Sequence, residues 1–217
     1  MHNVLREMNN KNLILVGGGG HCKSVINVAE SSGWNILGIL DLPENIGKKV
    51  LSYSIIGIDE QIPEFVHKAY FLVTVGQIKD VGLRIKLHEK ILSAGGELAT
   101  VIAFDATVSK HSIIDKGTVI MHKAVINADV IIGLGCIINT MANVEHDSII
   151  GNYCHISTGA MINGDCRVGD RTFIGSGVVL TNGVSIANDC VLAGASFVRK
   201  SIIQSGIYAG NPAIRYK

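Results

Sequence analysis

Every sixth residue from Ile102 to Val198 is aliphatic. The series runs Ile102, Val108, Ile114, Ile120, Ile126, Ile132, Ile138, Val144, Ile150, Ile156, Ile162, Val168, Ile174, Leu180, Ile186, Leu192, Val198 without one insertion. A period of six fits neither the 3.6-residue turn of an α-helix nor the alternation of a hairpin. It describes a flat-sided coil in which each side turns one aliphatic residue inward. The fourth residue after each aliphatic one is small or modest in size, as at Ala106, Thr118, Cys136, Ser148, Cys154, Cys166 and Cys190. Four of the five cysteines therefore read as small buried fillers, and no C-x-x-C pair gives a zinc spacing. The residue just after the aliphatic one is Gly133, Gly151, Gly169 or Gly175 in four places and Asn127, Asn139 or Asn163 in three. On sequence alone these are assigned to tight corners.

The first hundred residues carry a different pattern. A short apolar run, Asn12 to Val16, is followed by Gly17-Gly18-Gly19-Gly20-His21 and a helical stretch that ends near Gly33. Ile36 to Leu40 reads as a second strand, closed by Asp41. Helix is expected over Asp59–Lys68, a third strand over Tyr70–Val75 ending at Gly76, helix over Ile78–Ala94, and strand over Glu97–Ile102. Strand–helix alternation implies a small parallel, Rossmann-like α/β domain. The boundary is placed between residues 1–98 and 99–217. Glycines between a strand and a helix let backbone N–H groups approach a phosphate, and an acidic residue ending the second strand suits a ribose hydroxyl. Cys22 stands where the G-x-G-x-x-G fingerprint has its last glycine. A nucleotide-sugar site, a nicotinamide site and a plain structural turn all remain open at this point.

Charge narrows the partners. The formal net charge is +1 and only 17% of residues are charged, so nothing points to nucleic acid or an anionic membrane. The uncharged stretch Val130 to Val144 is shorter than the roughly 18 apolar residues of a membrane span. The polar first eleven residues lack a signal-peptide core. A cytoplasmic protein is expected.

Among the histidines, His146 carries the chemistry best. It lies two places after Val144, so it points outward, and eighteen residues per three-sided coil put it between Ala128 and Gly164. Asp147 is adjacent, and a carboxylate there orients the imidazole and raises its basicity. A surface histidine on a polar corner is the plain alternative. A metal-dependent hydratase would instead require His122, His146 and His155 to converge on zinc. Their spacing lacks the close pair of the β-helical carbonic anhydrases, so no metal is expected.

Three motifs, Gly17-x-Gly-Gly-His21, Val144-Glu-His-Asp147 and Gly210-Asn-Pro-Ala213, together with the unbroken repeat, carry a family resemblance. From about Asn12 to Lys217 the chain resembles bacterial sialic-acid O-acetyltransferases and bacillosamine-pathway N-acetyltransferases. The resemblance implies a nucleotide-sugar-binding α/β domain followed by a left-handed parallel β-helix. It implies acetyl-CoA as donor and a homotrimer with sites between subunits. The acceptor it implies is a nucleotide-linked amino sugar of the UDP-4-amino-4,6-dideoxy type, used in surface-glycan synthesis, with O-acetylation of a sialic-acid-like sugar as the alternative. It makes His146 the general base and Asp147 its acidic partner, shorter by one methylene than the glutamate of some members. His155, Asn139, Ser176 and Gly194 would line the acetyl-CoA site. Gly19, Gly20, His21, Asp41 and Gly76 would line the nucleotide-sugar pocket. Transfer would be direct, with a backbone N–H near Gly164 as oxyanion donor.

Overall fold

The computed structural model of the chain describes residues 11–216. They form two compact units. One is built from the chain up to Gly76 together with Gly82–Val101, the other from Gln77–Val81 together with the chain from Ile102 onward.

The first unit is a five-stranded sheet in the order β3-β4-β2-β1-β5. The strands are β1 (Asn12–Val16), β2 (Asn35–Leu40), β3 (Lys49–Val50), β4 (Tyr53–Gly57) and β5 (Tyr70–Val73), with helices α1 (Gly20–Ser31) and α2 (Gly82–Ser93). β1 pairs in parallel with both β2 and β5. Leu13, Ile14, Leu15 and Val16 are all buried, as a central parallel strand covered on both faces requires. The chain passes from β1 through α1 to β2 on one side and comes back on β5 at the other. The carboxyl end of β1 is therefore a topological switch point.

Several local expectations shift. Helix over Asp59–Lys68 shrinks to a 3₁₀ segment, Asp59–Glu64, because Pro63 lies inside it and has no N–H to give. α2 starts at Gly82 instead of Ile78, since Gln77–Val81 joins the second unit. The strand expected over Glu97–Ile102 is reduced to a bridge between Leu98 and Phe71 and a two-residue strand at Val101–Ile102. The antiparallel β3–β4 hairpin was not anticipated.

The second unit is the coil. Two- and three-residue strands stack in parallel on three sides with a register of eighteen residues. The first side carries 119–120, 137–138, 155–156, 173–174 and 190–192. The second carries 107–108, 125–126, 143–144, 161–162, 179–180 and 197–198. The third carries 113–114, 131–132, 149–150, 167–168 and 185–186. The aliphatic positions from Ile120 to Val198 form one buried core. Cys136, Cys154, Cys166 and Cys190 are buried and free. The thiols of Cys136, Cys154 and Cys166 donate to the carbonyls of Gly151, Gly169 and Thr181 at 3.0–3.1 Å. In the same inward columns, Thr118, Ser148 and Thr172 donate their hydroxyls to a carbonyl fifteen residues on. A small side chain that also satisfies a buried carbonyl explains why Cys, Ser and Thr share these columns. Burial pushes the Cys154, Cys166 and Cys190 thiols up, away from reactivity.

The corners correct one sequence inference. Left-handed backbone falls on the third residue after the aliphatic one, as at Asp129 (φ 58°), Asp147 (φ 62°) and Asp165 (φ 57°). Gly133, Gly151 and Gly169 have no such angle. They are glycine because the side-chain Oδ1 of Asn152, Asp170 and Asn188 in the next coil lies where a Cβ would stand. Those oxygens accept the N–H groups of Leu134, Asn152 and Asp170 at 2.7–2.9 Å, tying coil to coil. At the carboxyl end, Gly206–Ala209 pairs in parallel with Cys190–Leu192. The chain turns through Gly210-Asn-Pro-Ala213 and returns as Ile214–Arg215. Ile202 and Tyr208 complete the core there.

Candidate active site

His146 stands on the edge between the second and third sides. Its neighbours follow from the eighteen-residue register: Asp147 N–H donates to Ala128 O (3.1 Å) and Asp165 N–H donates to His146 O (2.9 Å). The imidazole lies over Gly164, where a Cβ would come within 2.7 Å of Cε1 and 2.8 Å of Nε2. His146 Nδ1 is 2.7 Å from Asp147 Oδ2, with both side chains more than half exposed. A carboxylate only accepts, so Nδ1 carries the proton and Nε2 keeps its lone pair for a substrate. Asp147 raises the His146 pKa above the ordinary histidine value, with smaller contributions from Glu145 and Asp165. Glu145 is itself fixed by Asn143 Nδ2 (2.9 Å) and Asn127 Nδ2 (2.7 Å), which hold its carboxyl below the usual range.

Gly164 has ordinary backbone angles, so alanine fits the chain there but not the space. Gly164→Ala is expected to push the ring off Asp147 and lower kcat by at least about tenfold. The melting temperature should change little, and steady-state kinetics with thermal melts checks both.

Asn139, Ser176 and Gly194 lie on the other edge of the second side, where it meets the first. Ser176 Oγ is 3.0 Å from Ser157 Oγ, and Gly194 is exposed. His155 is only 8% exposed, not an open surface group. Its Nδ1 donates to Gln77 O (2.8 Å), its Nε2 faces Asn139 Nδ2 (3.1 Å), and its ring packs edge-on to Phe173. Asn139 Oδ1 accepts the Thr140 N–H at 2.8 Å, so the amide of Asn139 is fixed at both ends. Within one chain, then, the His146 pair and the Asn139–Ser176–Gly194 set occupy opposite edges of one side. His122 belongs to the second of these edges and bonds Asp105, so His122, His146 and His155 do not converge. Among the described residues no group of three or more His, Cys, Asp or Glu could hold a metal ion.

In the first unit, Gly17 to His21, Asp41 and Gly76 gather at the carboxyl ends of β1, β2 and β5. Gly19 precedes α1 without any side-chain cap, and Gly19 and Gly20 are exposed. Gly76 packs opposite His21, where a Cβ would stand 3.5 Å from His21 Cβ. Asp41 Oδ2 accepts the Gly18 N–H at 3.0 Å and Oδ1 accepts the Leu42 N–H at 2.8 Å, so Asp41 also braces the loop. A cavity of about 200 Å³ opens beside it, lined by Gly17, Asp41, Pro43, Val75 and Leu87. A larger cleft of about 350 Å³ lies by Val66–Tyr70 and Glu97, toward the amino end of β5. It touches none of the sequence-predicted residues, and switch-point geometry favours the smaller one.

PerB from Caulobacter crescentus, in complex with CoA and GDP-perosamine, is 31% identical. The match covers 95% of this chain and 97% of that one, with a TM-score of 0.88. The chain belongs to the hexapeptide-repeat sugar acetyltransferase family. The coil is thus a left-handed parallel β-helix. Residues 12–91 match the PglD N-terminal domain family. The acetyltransferase domain of PglB from Neisseria gonorrhoeae FA1090 is 30% identical over 95% of this chain and 100% of that one, with a TM-score of 0.86. The same domain in complex with acetyl coenzyme A matches at 29% identity over 95% and 100%, with a TM-score of 0.87. No curated protein matches the chain by sequence.

Sequence inspection missed Gln77, whose carbonyl holds His155, and the Asn127–Asn143 clamp on Glu145. Asn127 and Glu145 are eighteen residues apart, so the register could have paired them. Nothing in the repeat points to Gln77.

Proposed function

We propose that this protein transfers an acetyl group from acetyl-CoA to the amine of a nucleotide-linked amino sugar, of the UDP-4-amino-4,6-dideoxy type, in cytoplasmic synthesis of a surface glycan. The observation that carries it is the His146–Asp147 pair, with Nδ1 committed and Nε2 facing outward over Gly164. The relatives support the substrate class: one binds CoA and GDP-perosamine, the other acetyl coenzyme A.

The chemistry follows from the ring's tautomer. The sugar amine attacks the thioester carbonyl while His146 Nε2 removes its proton, and Asp147 stabilises the imidazolium. The Gly164 N–H, taken up by no protein acceptor among the described residues, is the oxyanion donor. As the C–N bond forms and the C–S bond breaks, His146 returns its proton to the departing thiolate. No acyl-enzyme is required, and the inward thiols are occupied by carbonyls. Acetyl-CoA would run along the edge of Thr158, Ser176 and Gly194, with its acetyl end at Asn139, which His155 positions. A nucleotide phosphate would meet the backbone at the exposed Gly19 and Gly20, at the start of α1.

The base and the CoA edge flank the same side of the coil. Three copies packed around a threefold axis through their second sides bring the His146 edge of one beside the Asn139 edge of the next. The outward residues of that side, Thr107, Val125, Asn143, Met161, Val179 and Phe197, are all uncharged. A homotrimer with sites between subunits is therefore part of the proposal.

A panel of UDP- and GDP-linked amino sugars and sialic acids with acetyl-CoA, followed by thiol release, tests it. Thiol release with an amino sugar and an amide product is the expected result. Release with sialic acids alone would replace N- by O-acetylation. Stoichiometric zinc in the purified protein, without thiol release, would move it to the hydratase class.

A further inference from the structure

A second His–Asp pair lies on the coil, away from His146. His122 Nδ1 is 2.6 Å from Asp105 Oδ1, with the two side chains 24% and 26% exposed. The contact holds the Asp105 carboxyl below its ordinary value. Asp105 thereby fixes the His122 ring, whose Nε2 is buried. Phe104 packs edge-on against the His122 ring at 6.4 Å and is itself 74% exposed. An aromatic ring open to solvent and held edge-on by a braced imidazole suits the apolar face of a pyranose.

Position along the coil agrees. Phe104, His122, Thr140, Thr158, Ser176 and Gly194 each stand two places after an aliphatic residue of the first side, and so form one column on the Asn139 edge. With about 4.8 Å between stacked strands, His122 lies about one coil below Thr140 and Phe104 about two. Ser176 and Gly194 lie above it. In the trimer proposed above, copies share one height, so His146 of one subunit stands about 1.6 Å above Thr140 of the next and about 6.4 Å above His122. The donor then occupies the column above the base, and the acceptor is left the part below it.

We infer that Phe104, Asp105 and His122 form an acceptor-binding wall: Phe104 covers the apolar face of the pyranose, and the His122 ring, braced by Asp105, holds Phe104 in place. The inference rests on the intersubunit reading of the site. It assigns these residues to the sugar ring, not to the nucleotide or to acetyl-CoA.

The test measures His122→Ala, Asp105→Asn and Phe104→Ala against the sugar nucleotide that the panel identifies. Expected is a rise of about tenfold or more in KM for the acceptor. KM for acetyl-CoA, the acid limb of the pH profile and calorimetric binding of the free nucleoside diphosphate should stay unchanged. Unchanged acceptor KM in folded variants would overturn the inference, as would an equal loss of nucleoside diphosphate binding or a rise in KM for acetyl-CoA. If His122→Ala destabilises the coil, Phe104→Ala decides alone, since so exposed a ring contributes little to the fold. Subunit mixing adds an independent readout at low acceptor concentration. Co-refolded His146→Ala and His122→Ala chains should recover about a quarter of wild-type activity, because one in four random interfaces joins an intact His146 to an intact His122. No recovery would place the two residues in one chain's site and sink the inference. Absence of any acetyl transfer by the wild type is a separate outcome that removes the function proposed above.

Discussion

His146→Ala is expected to lower kcat by about 10²–10⁴-fold with little change in KM for acetyl-CoA, the range that removal of a positioned general base produces. The side chain is more than half exposed and makes its side-chain hydrogen bond to Asp147, so the fold should survive its loss. The companion measurement is the pH profile. Asp147 raises the His146 pKa, and only the neutral ring can take a proton. The rate should therefore climb with pH through a value above the ordinary 6.5 or so of histidine. Asp147→Asn removes the largest cause of that shift. Its acid limb should move to lower pH, because the base form now survives there, while the plateau falls because the ring loses its anchor and some of its basicity. Glu145 and Asp165 still raise the pKa in that variant while partial desolvation still lowers it, so the move to lower pH is what the profile reads. A limb that does not move in Asp147→Asn, or a His146→Ala enzyme with wild-type kcat, would remove the pair from the chemistry.

Much of this site could be read from the amino-acid order, and the physical reason is the register. A coil with one aliphatic residue per side leaves no freedom in which residues stack, so eighteen-residue arithmetic alone put His146 against Gly164, and the structure has the imidazole lying there. The same arithmetic explains the inward cysteines. It fails wherever a contact leaves the repeat. Nothing in the hexapeptide of His155 reveals that Gln77, seventy-eight residues earlier, bonds its ring. The coil glycines read as tight corners, yet Gly133, Gly151 and Gly169 make room for an Asn or Asp from the next coil. Composition cannot separate those two demands, since both are met by the absence of a Cβ. In the first unit the β3–β4 hairpin was illegible for a different reason. Its turn is Leu51-Ser52, and Leu51 takes φ 53°, a left-handed angle that hairpins ordinarily give to Asn or Gly.

Val179→Asp is expected to leave the coil folded and abolish activity. Val179 points outward from the second side, paired with Met161 below it and Phe197 above it. In the monomer a carboxylate there stays in water, so circular dichroism and the melting curve should match the parent closely. In the trimer proposed above it faces the threefold axis, and symmetry places three such carboxylates at one height. Removing each ion from water costs several kcal/mol with no counter-charge supplied. Three such penalties exceed the roughly 8 kcal/mol that holds a micromolar complex together. Sedimentation velocity should then show the parent as a trimer and Val179→Asp as a monomer. Loss of activity should follow because His146 and Asn139 occupy opposite edges of the second side, so one chain cannot bring its own base to its own thioester. A Val179→Asp protein that sediments as a monomer yet acetylates at the parental rate would show that a single coil holds the whole site. A variant that remains trimeric would place the threefold axis on another side. The same substitution therefore separates the oligomer from the chemistry.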